Sequence, residues 1–187
     1  MEIKVTYFER PGDENTEATF NIARCRAGEL GIKNIVVATT SGDTAAKAVK
    51  MLKGYRVIAV SHVAGMYEPN AQELTEANRK LIESQGGAIV TAAHAFSGVS
   101  AAMRNKFNTY VVGDIMSNTL RTLGQGVKVA CEVAMMAADA GFVPTDEDII
   151  AIGGTARGAD TALVITPANS HRFFDLKVRE ILCKPRL

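Results

Sequence analysis

The sequence predicts a three-layer α/β domain built on a doubly wound, mostly parallel sheet. Three observations carry this: short β-branched runs that are apolar at every position, amphipathic helical stripes between them, and glycine-rich turns where strand gives way to helix. The chain has 187 residues, 47% of them hydrophobic and 22% charged. That is enough for one well-formed core, so a single domain over residues 1–187 is expected.

Five apolar runs are read as strands: Ile35 to Ala38, Val57 to Val60, Ala88 to Val90, Ile149 to Ile152 and Ala162 to Ile165. Apolarity without alternation suits strands covered on both faces, as in parallel sheets. Phe20, Ala23, Ala27 and Leu30 form a helical stripe before the first run, closed by Gly31 where a C-terminal cap belongs. Ala45, Ala46, Val49 and Leu52 form a second, ended by Gly54. Leu74, Ala77, Leu81 and Ile82 form a third, ended by Gly86 and Gly87.

Such alternation predicts right-handed crossovers with helices on both faces. Only Gly153 to Asp160 separate the fourth and fifth runs, too short a link for a helical crossover, so the fifth strand is expected to return antiparallel. Tyr110 to Val112 is read as a short strand and Met116 to Leu123 as a short helix. Val127 to Ala140 is helical and apolar around much of its circumference, which suits a central packed helix, the favoured reading, or a subunit contact in a homo-oligomer. Ile3, Val5 and Tyr7 at one end, and Leu176 and Val178 at the other, alternate with polar residues and read as half-exposed terminal strands.

Composition excludes several classes of partner. Twenty-one Lys and Arg against 20 Asp and Glu give a formal charge of +1, which supplies no global attraction to nucleic acid or an anionic membrane. Ser84 to Met103 is uncharged but interrupted by Gln85, two glycines, His94, Ser97 and Ser100, so it is not read as a bilayer span. The opening MEIKVTYFERPG lacks the apolar run of a secretory signal, and a cytoplasmic location is expected. Cys25, Cys131 and Cys183 form no CxxC pair and are expected to be unreactive thiols.

The most informative segment is Ala38-Thr39-Thr40-Ser41-Gly42-Asp43-Thr44-Ala45, between the first buried strand and the second helix. A loop entering a helix presents unpaired backbone N–H groups, and the hydroxyls of Thr39, Ser41 and Thr44 add donors, so the turn suits a phosphate. Ser41, Asp43 or Thr44 acting only as a helix cap is the competing reading. A second turn, Gly153-Gly154-Thr155-Ala156-Arg157-Gly158, follows the fourth strand. If that strand lies beside the first, both turns open at one carboxyl edge, where doubly wound folds bind ligands. Arg157 then neutralises the phosphate while Gly153 and Gly154 let a flat ring or ribityl chain approach. The competing reading is a glycine-rich hairpin with Arg157 in solvent.

The helix before Ile35, the TTSGDT turn, the strand Val57 to Val60, the helix Val127 to Ala140 and the IIAIGGTARG turn together resemble the C-terminal domain of pyruvate kinase, and more closely its stand-alone prokaryotic relatives. The resemblance covers roughly residues 14 to 166. It implies strand order 3-2-1-4-5 with the fifth antiparallel, and no phosphoryl transfer, because the catalytic barrel is absent. In some pyruvate kinases the turn similar to Thr40 to Thr44 holds a phosphate of a regulatory sugar bisphosphate. The stand-alone relatives are associated with flavin mononucleotide (FMN), so the resemblance implies a flavoprotein with Thr39, Thr40, Ser41, Gly42, Asp43 and Thr44 around the phosphate. Gly153, Gly154, Thr155 and Arg157 would form the opposite wall. The alternative is a noncatalytic regulatory or sensor module binding a sugar phosphate or a nucleotide.

Of the three histidines, His62, in the loop after the second strand, is the one read as a further ligand contact; His62, His94 and His171 have no HxxxH or HExxH metal spacing. Gly98 to Ala102 imitates a nucleophile elbow but lacks its final glycine and reads as helix. Asp146 to Asp148 read as solvated surface, and Arg104, Lys106, Arg121 and Lys128 as scattered, solvent-facing or paired cations. No residue is assigned a catalytic role.

Overall fold

The computed structural model describes residues 2–186. Among them, seven strands form one sheet: β1 (Thr6–Phe8), β2 (Asn34–Ala38), β3 (Arg56–Ser61), β4 (Ala88–Thr91), β5 (Ile149–Gly153), β6 (Thr161–Thr166) and β7 (Lys177–Pro185), in the order β1-β7-β6-β5-β2-β3-β4. The five apolar runs are β2 to β6, and they stand side by side in the order the family resemblance implied. β2 runs parallel to β3 and β5, and β4 parallel to β3. β6 returns antiparallel to β5, as its short link requires.

The continuous apolarity of these strands has a simple cause. Ile35 and Val37 of β2 enter one core and Val36 the other; Ile150 and Ile152 of β5 enter the first, Ile149 and Ala151 the second. Every position therefore faces a covered side. The first core is closed by α1 (Thr16–Leu30), α2 (Asp43–Met51) and α3 (Glu76–Ser84), which contribute Phe20, Ala23, Ala27, Ala45, Ala48, Val49 and Ile82. The second is closed chiefly by α6 (Gln125–Asp139), which buries residues over almost its whole length. Its apolar circumference is thus satisfied within the fold. Two further helices, α4 (Gly98–Phe107) and α5 (Val112–Arg121), lie between β4 and α6.

Three expectations change. Tyr110 to Val112 is not a strand: the Asp114 carboxylate accepts the Val111 N–H at 3.2 Å, which starts α5 at Val112. The first terminal strand is limited to Thr6–Phe8, which pair with Cys183 to Pro185 of β7; Ile3 and Val5 precede it. The helix read over Met116 to Leu123 begins four residues earlier and ends at Arg121. Among the described residues no helix is long and apolar enough to cross a membrane.

Because β2 leads to β3 on one side while β5 lies on its other side, the winding reverses between β2 and β5. The loops after β2, β3, β4 and β5 leave the sheet at one edge, and the reversal opens a crevice there.

Candidate functional site

A cleft of about 1500 Å³ occupies that edge. It exceeds the few hundred to roughly 1,000 Å³ usual for small-molecule sites, so it has the volume for a ligand of nucleotide size. One wall is the turn between β2 and α2. Ser41 is pinned from outside: its carbonyl accepts the Thr75 N–H at 3.1 Å and the Asn78 side-chain amide at 3.0 Å. Its hydroxyl donates to Asp43 Oδ2 at 2.6 Å, and Asn78 donates to Asp43 Oδ1 at 2.8 Å. The hydrogen bonds from Ser41 and Asn78, with smaller help from the charges of Arg157 and Lys47, hold the Asp43 carboxyl below its ordinary value.

Asp43 therefore stays ionised, with both carboxylate oxygens engaged by Ser41 and Asn78. Further into the turn, the N–H groups of Thr44 and Ala45 take no protein acceptor among the described residues; the first bond of α2 runs from Ala46 N–H to Gly42 O at 2.8 Å. Thr39 lies at the base of this wall. It is buried, lines the cleft, and its hydroxyl has no hydrogen-bond partner.

Gly42 has a different task from the one its place in the motif suggests. Its φ is +97°, and a Cβ there would lie 2.5 Å from Asn78 Cβ and 2.6 Å from Leu74 Cδ1. It faces α3 and is not part of the cleft lining. The residue admits the turn and the close approach of α3, not a ligand.

The facing wall is the loop after β5. Gly154, Ala156, Arg157 and Gly158 line the cleft, with Arg157 exposed at its mouth. Gly153 and Thr155 do not. A Cβ on Gly153 would lie 2.4 Å from the Gly126 carbonyl oxygen, so this glycine serves the packing of β5 on α6. Thr155 donates its N–H to Asp160 Oδ2 at 3.1 Å. Asp160, fully buried, also accepts the Gly12 N–H at 3.1 Å and the Thr161 hydroxyl at 2.8 Å, which ties the loop to the segment before α1.

The floor comes from the end of β3, the loops after β3 and β4, and α6. His62 follows β3, with Nε2 3.4 Å from Thr40 Oγ1 and Nδ1 3.5 Å from Glu73 Oε2. His94 stacks obliquely beside it at a ring separation of 5.2 Å, and burial pushes its pKa down. On α6, Lys128 and Glu132 form a buried ion pair, and Glu132 also accepts the Phe96 N–H at 3.1 Å. Beyond them the cleft is bounded by the Arg104–Asp114 pair and by Arg121. His171 is exposed on a 3-10 turn and lines no part of it.

The structure thus brings Thr39, Thr40, Ser41, Asp43, Thr44, His62, Gly154 and Arg157 to one cleft and leaves out Gly42, Gly153 and Thr155. The sequence reading took Lys128 only as a solvent-facing or paired cation and gave no site role to Glu132, Glu73 or Asp160. A signal existed for the first two: a lysine and a glutamate at i, i+4 on an otherwise apolar helix are expected to be buried as a pair. Among the described residues no group of three or more histidine, cysteine or acidic side chains is placed to hold a metal ion.

Comparison with known proteins gives one family. The family described as pyruvate kinase, alpha/beta domain, matches residues 17–165. Among solved structures, a pyruvate kinase from Cryptosporidium parvum aligns at 15% identity over 81% of this chain and 23% of its own, with a TM-score of 0.41. The Cryptosporidium parvum pyruvate kinase in complex with ADP aligns at 16% over 80% of this chain and 22% of its own, with a TM-score of 0.40. An O-ureido-L-serine synthase aligns at 18% over 58% of this chain and 29% of its own, with a TM-score of 0.31. The chain thus spans less than a quarter of the length of those two kinases.

Proposed function

The chain belongs to the pyruvate kinase alpha/beta-domain family, and from that premise we propose that its cleft binds a phosphate-bearing small molecule, with FMN as the first candidate. The observation that carries the reading is the juxtaposition, in one cleft, of an unclaimed backbone donor at the start of α2, the Thr44 N–H, and the unpartnered buried hydroxyl of Thr39. A buried polar atom without a partner is costly to keep, about 1–3 kcal/mol, and an incoming phosphate oxygen relieves it. Backbone donors at a helix N-terminus favour an anion in the same place.

Lys47, Lys50 and Arg157 stand around the mouth and supply positive charge. The phosphate of FMN fits the Thr39 to Thr44 wall, held by the Thr44 N–H group and the Thr39 and Thr40 hydroxyls. The rest of such a ligand has space toward His62, His94 and Gly154, whereas Gly153 is closed off by α6. A bound flavin would supply its own redox chemistry, and the protein would position the ring and exclude water. Three cations at the mouth also suit a ligand with two phosphates, which keeps a regulatory module for a sugar phosphate or nucleotide as the second reading.

Visible absorption of the purified, FMN-saturated and then desalted protein, with mass measurement of the ligand released on denaturation, tests the proposal. Retained flavin in stoichiometric amount supports it. Colourless protein that releases a sugar phosphate or nucleotide favours the second reading, and protein that retains no phosphate compound contradicts both.

A further inference from the structure

Besides Thr39 Oγ1, two buried side-chain atoms in the described residues lack a hydrogen-bond partner: His62 Nδ1 and Glu73 Oε2. They face each other at 3.5 Å, close enough for an ion pair but not aligned as a hydrogen bond. Glu73 stands behind the imidazole and is not a wall of the cleft. On the other side, His62 Nε2 meets Thr40 Oγ1 at 3.4 Å, and Thr40 is a wall. Carboxylate, imidazole and hydroxyl therefore stand in a row that leads from the half-buried Glu73 to the anion-binding turn.

The protonation of the middle member decides what the last one offers. With His62 neutral and its proton on Nδ1 toward Glu73, Nε2 is an acceptor; the Thr40 hydroxyl donates to it and leaves only lone pairs facing the cleft. With His62 charged, both nitrogens donate. Thr40 Oγ1 then accepts from Nε2, and its own proton is free for an anion. In the charged form the Nδ1 proton still points to Glu73 Oε2, and the imidazolium adds a positive charge 3.5 Å from that carboxylate oxygen.

The neighbours favour His62 over His94 as the carrier. His94 Nε2 accepts the Val63 N–H at 3.4 Å, which fixes that nitrogen as unprotonated, and burial disfavours charge on this ring. Glu132 attracts and Lys128 repels a proton on His94. A second imidazolium 5.2 Å away would oppose the first. Tyr67 flanks His62 at 6.0 Å from the solvent side, and Gln72 donates to the His62 carbonyl at 2.9 Å, holding the loop in register.

We infer that His62 takes up a proton when an anionic ligand binds, with Glu73 holding the imidazolium and Thr40 turned into a donor toward the anion. This rests on the phosphate-binding reading of the cleft. His62 and Glu73 are positioning residues in this scheme, and anion affinity is coupled to pH through them.

The test is calorimetric titration of FMN into the full chain near neutral pH, in two buffers of different ionisation enthalpy, for the wild type, His62→Gln and Glu73→Gln. The wild type is expected to show net proton uptake and to lose affinity by up to about tenfold per pH unit as pH rises through the range where histidines titrate. His62→Gln is expected to abolish the uptake, and Glu73→Gln to reduce it. The second ionisation of the phosphate, near pH 6, is common to all three proteins, so their difference isolates the histidine. Wild-type binding without uptake, or uptake unchanged in His62→Gln, overturns the inference while leaving phosphate binding intact. If His62→Gln does not fold, unchanged uptake in Glu73→Gln overturns it instead. Wild-type protein that binds neither FMN nor inorganic phosphate overturns the phosphate reading and this inference with it.

Discussion

Thr40 Oγ1 and His62 Nε2 meet at 3.4 Å although 22 positions separate them in the chain. The register of β2 against β3 explains the encounter: Ala38 pairs with Val60, and two residues further on the same parallel alignment brings Thr40 beside His62 at the carboxyl edge. The contact joins the turn that opens α2 to the loop that follows β3. Both therefore belong to one wall of the cleft rather than to separate surface features.

Gly42 is a structural glycine. Replacing it with alanine places a Cβ against Asn78 and Leu74 and puts a side chain at φ +97°, so Gly42→Ala is expected to cost about 2 kcal/mol or more through strain and overpacking. Urea denaturation measures the shift. A variant as stable as the wild type contradicts the packing assigned to this position.

Asp160 holds the loop after β5 to the chain before α1 by accepting from Gly12 and Thr155. Asp160→Asn keeps the shape, removes the charge and turns one acceptor into a donor. A loss of about 1–3 kcal/mol is expected, with faster amide exchange at Gly12 and Thr155. Unchanged exchange at both amides would show that the carboxylate does not organise the loop.

Lys128 and Glu132 are both buried on α6. Removing one partner leaves an uncompensated charge, so Lys128→Met is expected to destabilise by about 3–5 kcal/mol. The double variant Lys128→Met with Glu132→Gln should recover most of that loss, because the amide still accepts the Phe96 N–H. Thermal unfolding of the single and double variants checks the pair; equal losses in the two would argue against it.

The cysteines differ in reactivity. Burial pushes the Cys131 thiol up to about 12 and Cys183 to about 11, so neither forms appreciable thiolate at neutral pH. Cys25 is exposed on α1. Alkylation of the native protein, followed by peptide mapping, is expected to label Cys25 alone, and all three after unfolding. Native labelling of Cys131 would contradict the packing of α6.

The parallel core was legible because its cause is local. Strands covered on both faces must be apolar at every position, and the glycines at the ends of α1 and α2 mark where the chain turns back. The reversal at β6 followed from the length of one link. The segment between β4 and α6 was less legible: α4 buries no residue, so no apolar stripe announces it, and α5 starts at a carboxylate two residues inside the helix rather than at a conventional cap. In the site, position within the fold was readable and orientation was not. Gly42, Gly153 and Thr155 lie in the expected turns but face α3, α6 and Asp160, because only the packed helices and the buried carboxylate decide which side of each turn is free. Lys128 was read as solvent-facing or paired and Glu132 was passed over, because charge on a helix is ordinarily solvated.

The central claim is that the turn between β2 and α2 grips the phosphate of a ligand lying in the cleft. Paired fluorescence titrations with FMN and with riboflavin, which differ only in that group, test it most directly. The account predicts that FMN binds at least about tenfold more tightly than riboflavin, a difference of roughly 1.4 kcal/mol or more. Equal affinity for the two, or binding of neither, would contradict it.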